Sequence, residues 1–405
     1  MSNRYDVIIN GAGLVGSSIA IGLAKAGLKV LIIEFHPLEK LYPTDDYGLR
    51  VSAFTPSSRK WLEYVDAWDG LQHTGRITPF LHMHVWDEGG RGELTFDAAG
   101  TGSDALGWIM DNEATQGVLL DRAKTLDLIT ILDHCKLESF IRLEDGRVEV
   151  MLNNGEKYEA ELIVGADGGR SLVRDWANIP TTGWSYGQKT IVGQVRPEKS
   201  HDNTCWQRFL NNGPLALLPL NDGRCSLAWH TTYEEADELL ALDPESFSDR
   251  LSEGFEWRFG RIEIAGELGA YPLRLNHAQT YVRENFALAG DAAHSIHPLA
   301  GLGVNIGYLD SATLVEELIN ARKAGIPLGN LEMLKRYEKR RKAHNMFIMG
   351  SMDLFKRSST SQSGIIKGIR NIGLSAADKL PFVKRKLAKI AMGYYGDIPA
   401  FVKPK

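Results

Sequence analysis

Residues 5–34 read YDVIINGAGLVGSSIAIGLAKAGLKVLIIE, and the fold follows from how they are parsed. Tyr5–Asn10 is a short apolar run. Gly11, Gly13 and Gly16 follow it, then SSIAIGLAKAG at helical period, then LKVLIIE ending at Glu34. The pattern predicts strand, glycine turn, helix and strand, with an acid closing the second strand. A GxGxxG placed between a strand and a helix, with an acid about 20 residues further on, is the pattern of a dinucleotide-binding unit. Gly11 makes the tight turn, Gly13 lets backbone approach a pyrophosphate, and Gly16 permits close packing of helix on strand. Glu34 is placed to accept from a ribose hydroxyl. A glycine turn in another kind of α/β unit is the plain alternative, and the position of Glu34 weighs against it.

The chain of 405 residues has room for about two to three domains at the usual ~150 residues each. Asp6 and Asn10 bracket an apolar run too short for a signal sequence, and no stretch offers ~18 uninterrupted apolar residues. We expect neither export nor a membrane span. Cys135, Cys205 and Cys225 are odd in number and lack CxxC spacing, which indicates neither a disulfide framework nor a metal site and fits a reducing cytoplasm. The net charge of −5 conceals an asymmetry: from Lys356 onward, eleven Lys/Arg face two Asp, giving +9 and leaving −14 for the rest. This basic tail interleaves Lys367, Arg370, Lys384, Arg385, Lys386 and Lys389 with Ile365, Ile366, Ile369, Ile372, Leu380, Phe382, Val383, Leu387 and Ile390. Such interleaving suggests amphipathic helices more than a nucleic-acid arm.

Further along, VEVMLNNGEKYEAELIVGADGGRS (148–171) predicts a hairpin turned at Asn154-Gly155, then a buried strand leading into Asp167-Gly168-Gly169-Arg170. Residues 82–96 and the middle third, about Thr181 to Leu275, alternate polar and apolar and read as mainly β. Helical periodicity resumes after Gly303 and persists toward the C-terminus. Only one GxGxxG is present, so a pyridine nucleotide is expected to bind elsewhere or transiently.

A second glycine-dense stretch, GDAAHSIHPLAGLGVNIGYLD (290–310), stands directly ahead of a predicted helix. Together with Gly11/Gly13/Gly16, Glu34 and the Asp167-Gly168 segment, it makes the chain resemble the FAD-dependent aromatic hydroxylases, the group A flavoprotein monooxygenases of the para-hydroxybenzoate hydroxylase fold. Within them it is similar to the ubiquinone-biosynthesis hydroxylase family. The signature HP-x-[AG]-GQG-x-N-x-G-x-x-D is met by His297, Pro298, Ala300, Gly301, Gly303, Asn305, Gly307 and Asp310, with Leu302 where the family has Gln. LRVSAF (49–54), LKRYEKRRKAHN (334–345) and IGLSAADKLPFVKRKLAKIAMG (372–393) extend the resemblance over essentially the whole chain.

The resemblance implies an α/β fold: a Rossmann-type FAD-binding domain (1–75, 97–180 and 276–350), an inserted β-rich substrate domain (76–96 and 181–275), and a basic helical C-terminal region (351–405). FAD would be held non-covalently by Gly11, Gly13, Gly16, Glu34, Arg50, Gln116, Asp167, Gly290, Asp291, Pro298, Gly301, Leu302, Gly303, Val304 and Asn305. Asp291 would meet a ribityl hydroxyl. The amides around Leu302, Gly303, Val304 and Asn305 would face the N1–C2=O edge of the flavin, where a helix N-terminus stabilises negative charge. Arg50 would lie near the pyrophosphate, against the alternative of a solvated surface arginine. Gln116 would contact the ribityl-phosphate region, against plain exposure. Asp167 and Arg170 would serve both FAD and NAD(P)H. Leu302 puts any role of the Gln side chain in doubt.

The implied activity is hydroxylation of a polyprenylated phenol in ubiquinone biosynthesis, at C5 of the ring, with NAD(P)H as transient co-substrate and O₂ as oxidant. His294 and His297 receive no catalytic role, no protein residue is named as catalyst, and no metal is expected. The alternatives are hydroxylation at C6 or another ring position, reduction of a prenyl lipid, and a non-catalytic flavin-binding accessory subunit. The basic tail suggests docking to an anionic membrane surface or a complex of the pathway, with nucleic acid excluded, so the expected location is cytoplasmic and peripheral to the membrane. Packing of the tail on the FAD domain is the competing expectation.

Overall fold

The computed structural model describes residues 3–42, 46–88, 93–101, 103–295, 303–360, 389 and 392–404. Its organising element is a six-stranded sheet in the order Val282–Arg283, Phe286–Leu288, Leu162–Gly165, Val7–Asn10, Val30–Ile33, Ile129–Leu132. All neighbours except the first pair run parallel. Parallel strands covered on both faces read as continuous apolar runs, and Val7, Ile8, Ile9, Val30–Ile33 and Leu162–Val164 are accordingly fully buried. The helix Leu14–Lys25 packs beside the long helix Gly303–Lys323 in the same core. The predicted hairpin forms within a three-stranded antiparallel sheet (Leu137–Arg142, Val148–Leu152, Lys157–Ala160) that turns at Gly155, φ +83°.

An eight-stranded sheet builds the second layer, in the order His294–Ser295, Ile262–Ala278, Thr181–Pro197, Cys225–Thr232, Gly213–Pro219, Thr204–Leu210, His82–Asp87, Glu93–Asp97. Residues 77–80 instead join Val51–Phe54 and Gly107–Asp111 in a small antiparallel sheet between the two layers. The middle third is also less purely β than its alternation suggests, because Tyr233–Leu240 and Pro244–Gly254 are helices. Both begin at side-chain caps, Thr232 and Asp243, and the Asp-Pro pair was a helix-start signal in plain view.

The two faces of this sheet differ. On one, Ile191, Val195, Leu215, Leu217, Leu227 and Trp229 pack against Phe247, Leu251 and Phe255 of the helix-covered core. On the other, one in-register row crosses the strands as Gly269, Val192, Ala228, Ala216, Gln207 and Val85. Toward this second face lies the segment 46–53. Gln194 Nε2 donates to Gly48 O at 2.6 Å, and Arg224 pairs with Asp46 and Asp222. Asp46 is held at about 2 chiefly by the hydrogen bonds from Arg224.

The C-terminal third departs from a purely helical tail. A helix spans Leu331–Thr360, but residues 392–404 run through turns and a short 3₁₀ segment, Ala400–Val402, and dock on the FAD-binding layer. Val402 is fully buried, and the Phe401 ring stacks on Tyr64 at 4.1 Å. Except for Lys389, the basic and apolar tail positions singled out above lie outside the described residues. Among the described residues no helix is long and apolar enough to cross a membrane, and no group of three or more His, Cys, Asp or Glu is arranged to hold a metal ion.

Candidate functional site

Gly11 takes φ +105°, and a Cβ there would lie 2.5 Å from Ala166 O. A Cβ on Gly16 would lie 2.0 Å from Gly11 O, so these two glycines let the turn, its helix and the neighbouring strand touch. Gly13 is different: nothing lies within 4 Å of where its Cβ would be. It is also the N-cap of Leu14–Lys25, which has no side-chain cap, whereas Thr55, Asp111, Ser171, Thr232 and Asp243 each cap the helix they precede. A helix of 12 residues with bare first-turn amides and open space at its cap fits a phosphate.

Glu34 is buried and uses both oxygens, accepting from Ala12 N–H at 2.8 Å and from His36 N–H at 2.9 Å. It therefore fixes the turn to the end of the second strand, and a carboxylate retains lone pairs for a ribose hydroxyl. Gln116 is half-buried rather than exposed, and its Nε2 donates to Ala12 O at 3.2 Å. Asp167 collects Asn10 Nδ2 at 2.8 Å and the amide of Leu172 at 2.8 Å on one oxygen, while its other oxygen is buried with no hydrogen-bond partner. Arg170 is exposed.

The Gly290 loop and Gly307 both lie over Val15 of the glycine-turn helix. Asp291 occupies a recess that solvent reaches. Crowding by protein raises its pKa from the ordinary value, against the pull of His294 and Arg50. Arg50 is exposed, its guanidinium 5.8 Å from the Tyr271 ring centroid. Val304 packs against the main core, and a Cβ on Gly303 would meet nothing within 4 Å. Asn305 is a clamp: Oδ1 accepts from Thr55 N–H at 2.8 Å and from the Ser58 hydroxyl at 2.7 Å, while Nδ2 donates to Ala53 O at 2.7 Å. Pro298, Gly301 and Leu302, with His297 and Ala300, lie outside the described residues.

One constellation escaped the sequence reading. Asp310, wholly buried, accepts from Gly290 N–H at 3.1 Å, from His294 Nε2 at 2.5 Å, from Arg341 Nε at 2.8 Å and from Asn345 Nδ2 at 3.2 Å. Asn345 continues to Tyr281, and Tyr281 to His277. Burial by itself would raise the Asp310 carboxyl, but His294 and Arg341 override it and hold it well below the usual carboxylate range. Asp310 was visible as the last residue of a signature. Its partners, 16, 31 and 35 residues away, were not.

An uncapped glycine-turn helix with a buried acid at the end of the second strand, a recessed Asp291 and a second glycine-led helix, beneath a β-sheet layer, define a flavoprotein monooxygenase. The chain belongs to the FAD binding domain family, which it matches over residues 4–350, and within it to the ubiquinone-biosynthesis hydroxylases. It is 34% identical to the 3-demethoxyubiquinol 3-hydroxylase of Escherichia coli (strain K12), over 97% of this chain and 100% of that protein. It is 33% identical to the mitochondrial ubiquinone biosynthesis monooxygenase COQ6 of Danio rerio, over 96% of this chain and 89% of that protein. In fold it is similar to p-nitrophenol 4-monooxygenase PnpA from Pseudomonas putida DLL-E4, with a TM-score of 0.78 at 20% identity over 98% of this chain and 99% of that one. FAD is its cofactor, and it is an FAD-dependent aromatic hydroxylase.

Proposed function

We propose that the chain hydroxylates the aromatic ring of a polyprenylated phenol in ubiquinone biosynthesis, at C5, consuming NAD(P)H and O₂. The observation that carries the choice of substrate class is the row Gly269, Val192, Ala228 and Ala216 on the sheet face toward Val51 and Ala53. These small apolar side chains in register present no charge to an aromatic ring. A second reading, hydroxylation at another carbon of a later intermediate, is favoured by the name of the E. coli relative, which puts that enzyme's own hydroxylation at position 3 of a demethoxyubiquinol.

FAD, when bound, supplies the electron transfer and oxygen activation. The chain's residues bind, orient and exclude water. The bare amides after Gly13 hold the pyrophosphate, Glu34 and Asp291 take sugar and ribityl hydroxyls, and Arg50 and Asp167 flank the nucleotide. The first-turn amides at Gly303, Val304 and Asn305 would hold the flavin ring and favour negative charge developing on it. No side chain is assigned a proton transfer: His294 is buried and committed to Asp310. The basic segment between Thr360 and Met392 is the part we assign to an anionic membrane surface or a pathway partner.

The experiment is product analysis. Purified protein, NADPH, O₂ and a short-chain prenylphenol should yield one hydroxylated product, with its position read by NMR. Turnover of a demethoxyubiquinol alone would establish the second reading. Flavin reduction without oxygen uptake on any phenol would refute both.

A further inference from the structure

The chain's last described segment, 392–404, reaches the residues that clamp the Gly303 helix. Its Phe401 stacks on Tyr64 and lies beside Trp61, and Val402 is fully buried. Asp397 takes both Nε and a terminal nitrogen of Arg340, which also pairs with Glu316 and Glu317 of the Gly303 helix. Ala400 N–H donates to Glu316 Oε1 at 2.8 Å, and Tyr395 stacks on Phe347 at 4.8 Å. The segment thus ties three helices, Pro56–Tyr64, Gly303–Lys323 and Leu331–Thr360, to one another.

At its start the contact becomes specific. Gly393 has φ +78°, and a Cβ there would lie 2.1 Å from Ser57 Oγ and 3.2 Å from Thr55 Oγ1. Ser57 N–H donates to Met392 O at 3.4 Å, and the Ser57 and Thr55 hydroxyls are 2.9 Å apart. Thr55 N–H and the Ser58 hydroxyl both donate to Asn305 Oδ1. One short chain of contacts therefore runs from Gly393 through Ser57 and Thr55 to Asn305, in the first turn of the Gly303 helix. Left-handed backbone and the absence of a side chain are both needed at 393 for this approach.

We propose that residues 392–404 form a positioning strap for the flavin site, with Gly393 and Ser57 as its working contact. It acts through Asn305 on the amides at the N-terminus of the Gly303 helix and touches no cofactor itself. The inference rests on the reading that those amides face the flavin, and it assigns the strap to the cofactor rather than to the tail's partner.

The test uses the full-length protein, with FAD titrated into the apoprotein and melting curves recorded alongside. Gly393→Ala, which drives a methyl into Ser57, and Phe401→Ala, which loosens the strap at its other end, should each weaken FAD binding at least five-fold. Leu251→Ala, in the core under the far face of the eight-stranded sheet, serves as a control for lost stability. It should lower the melting temperature as much or more with FAD affinity unchanged. Strap variants that melt earlier yet bind FAD as the wild type does would overturn the proposal and leave the site reading intact. Gly303→Val binding FAD normally would overturn that reading, and the strap's role with it.

Discussion

The glycine turn and the N-terminus of the Gly303 helix serve one cofactor but are built in opposite ways. The turn is local: Gly11, Gly13, Gly16 and Glu34 lie within 24 residues, and contacts among them and Ala166 shape it. The Gly303 end is assembled from residues 53–58, 290–294, 310, 341–345 and 392–393. A local device depends on backbone sterics, whereas an assembled one depends on buried polar partners meeting. The first should fail through clashes and the second through loss of charge balance.

The largest effect expected within the turn is from Gly16→Val, whose side chain starts 2.0 Å from Gly11 O and should cost more than about 3 kcal/mol, leaving little folded protein. Gly13→Val is its counterpart. With nothing within 4 Å of its Cβ, it should cost the FAD-free chain only about 1 kcal/mol as a poor N-cap, yet the purified protein should emerge colourless. A yellow Gly13→Val protein with full flavin content would break the assignment of this turn.

At the assembled end, Asp310→Asn leaves the Arg341 guanidinium buried without its counter-charge and should cost about 3 kcal/mol or more, read from urea unfolding. It also weakens the hold on Gly290, so FAD affinity should fall with stability. A stable variant with normal affinity would show that the loop is set by backbone sterics here too. Asp291→Ala sharpens the comparison at lower cost. Removing one charge-assisted hydrogen bond should weaken FAD binding by ~1.5–3 kcal/mol while the melting curve of the apoprotein stays put. Equal titration curves for variant and wild type would remove Asp291 from the site.

The smallest effect concerns pH. Burial lowers both His277 and His344 from the ordinary 6.5 to about 4, with His294 and Lys342 nearby adding to it for the first and Arg341 for the second. Between those two pH values the unfolded chain binds the proton and the folded chain does not. Stability is therefore fully present above about 6.5 and falls as pH drops toward 4, less so at His277, whose partial exposure lets solvent screen the effect. Urea midpoints at pH 7 and pH 5 should differ accordingly, and His344→Gln should flatten the difference. The same slope in that variant would exclude His344 as a source.

Periodicity and turn chemistry in the linear chain were sufficient for the parallel sheet, the glycine turn, the acid at Glu34 and the β-rich layer, because each is a relation among near neighbours. A strand buried on both faces must be apolar throughout, and a turn needing φ +105° must carry glycine. The Thr232 and Asp243 caps were equally local signals, and they were overlooked beneath the alternation around them. Tertiary structure alone decided that Asn305 is a clamp rather than an exposed amide, that Asp310 joins His294 to Arg341, and that the last residues of a basic tail pack as a strap. Those contacts join residues up to 340 apart along the chain, from Trp61 to Phe401, and a hydrogen bond or buried ion pair leaves no periodic trace of which distant partner it will meet.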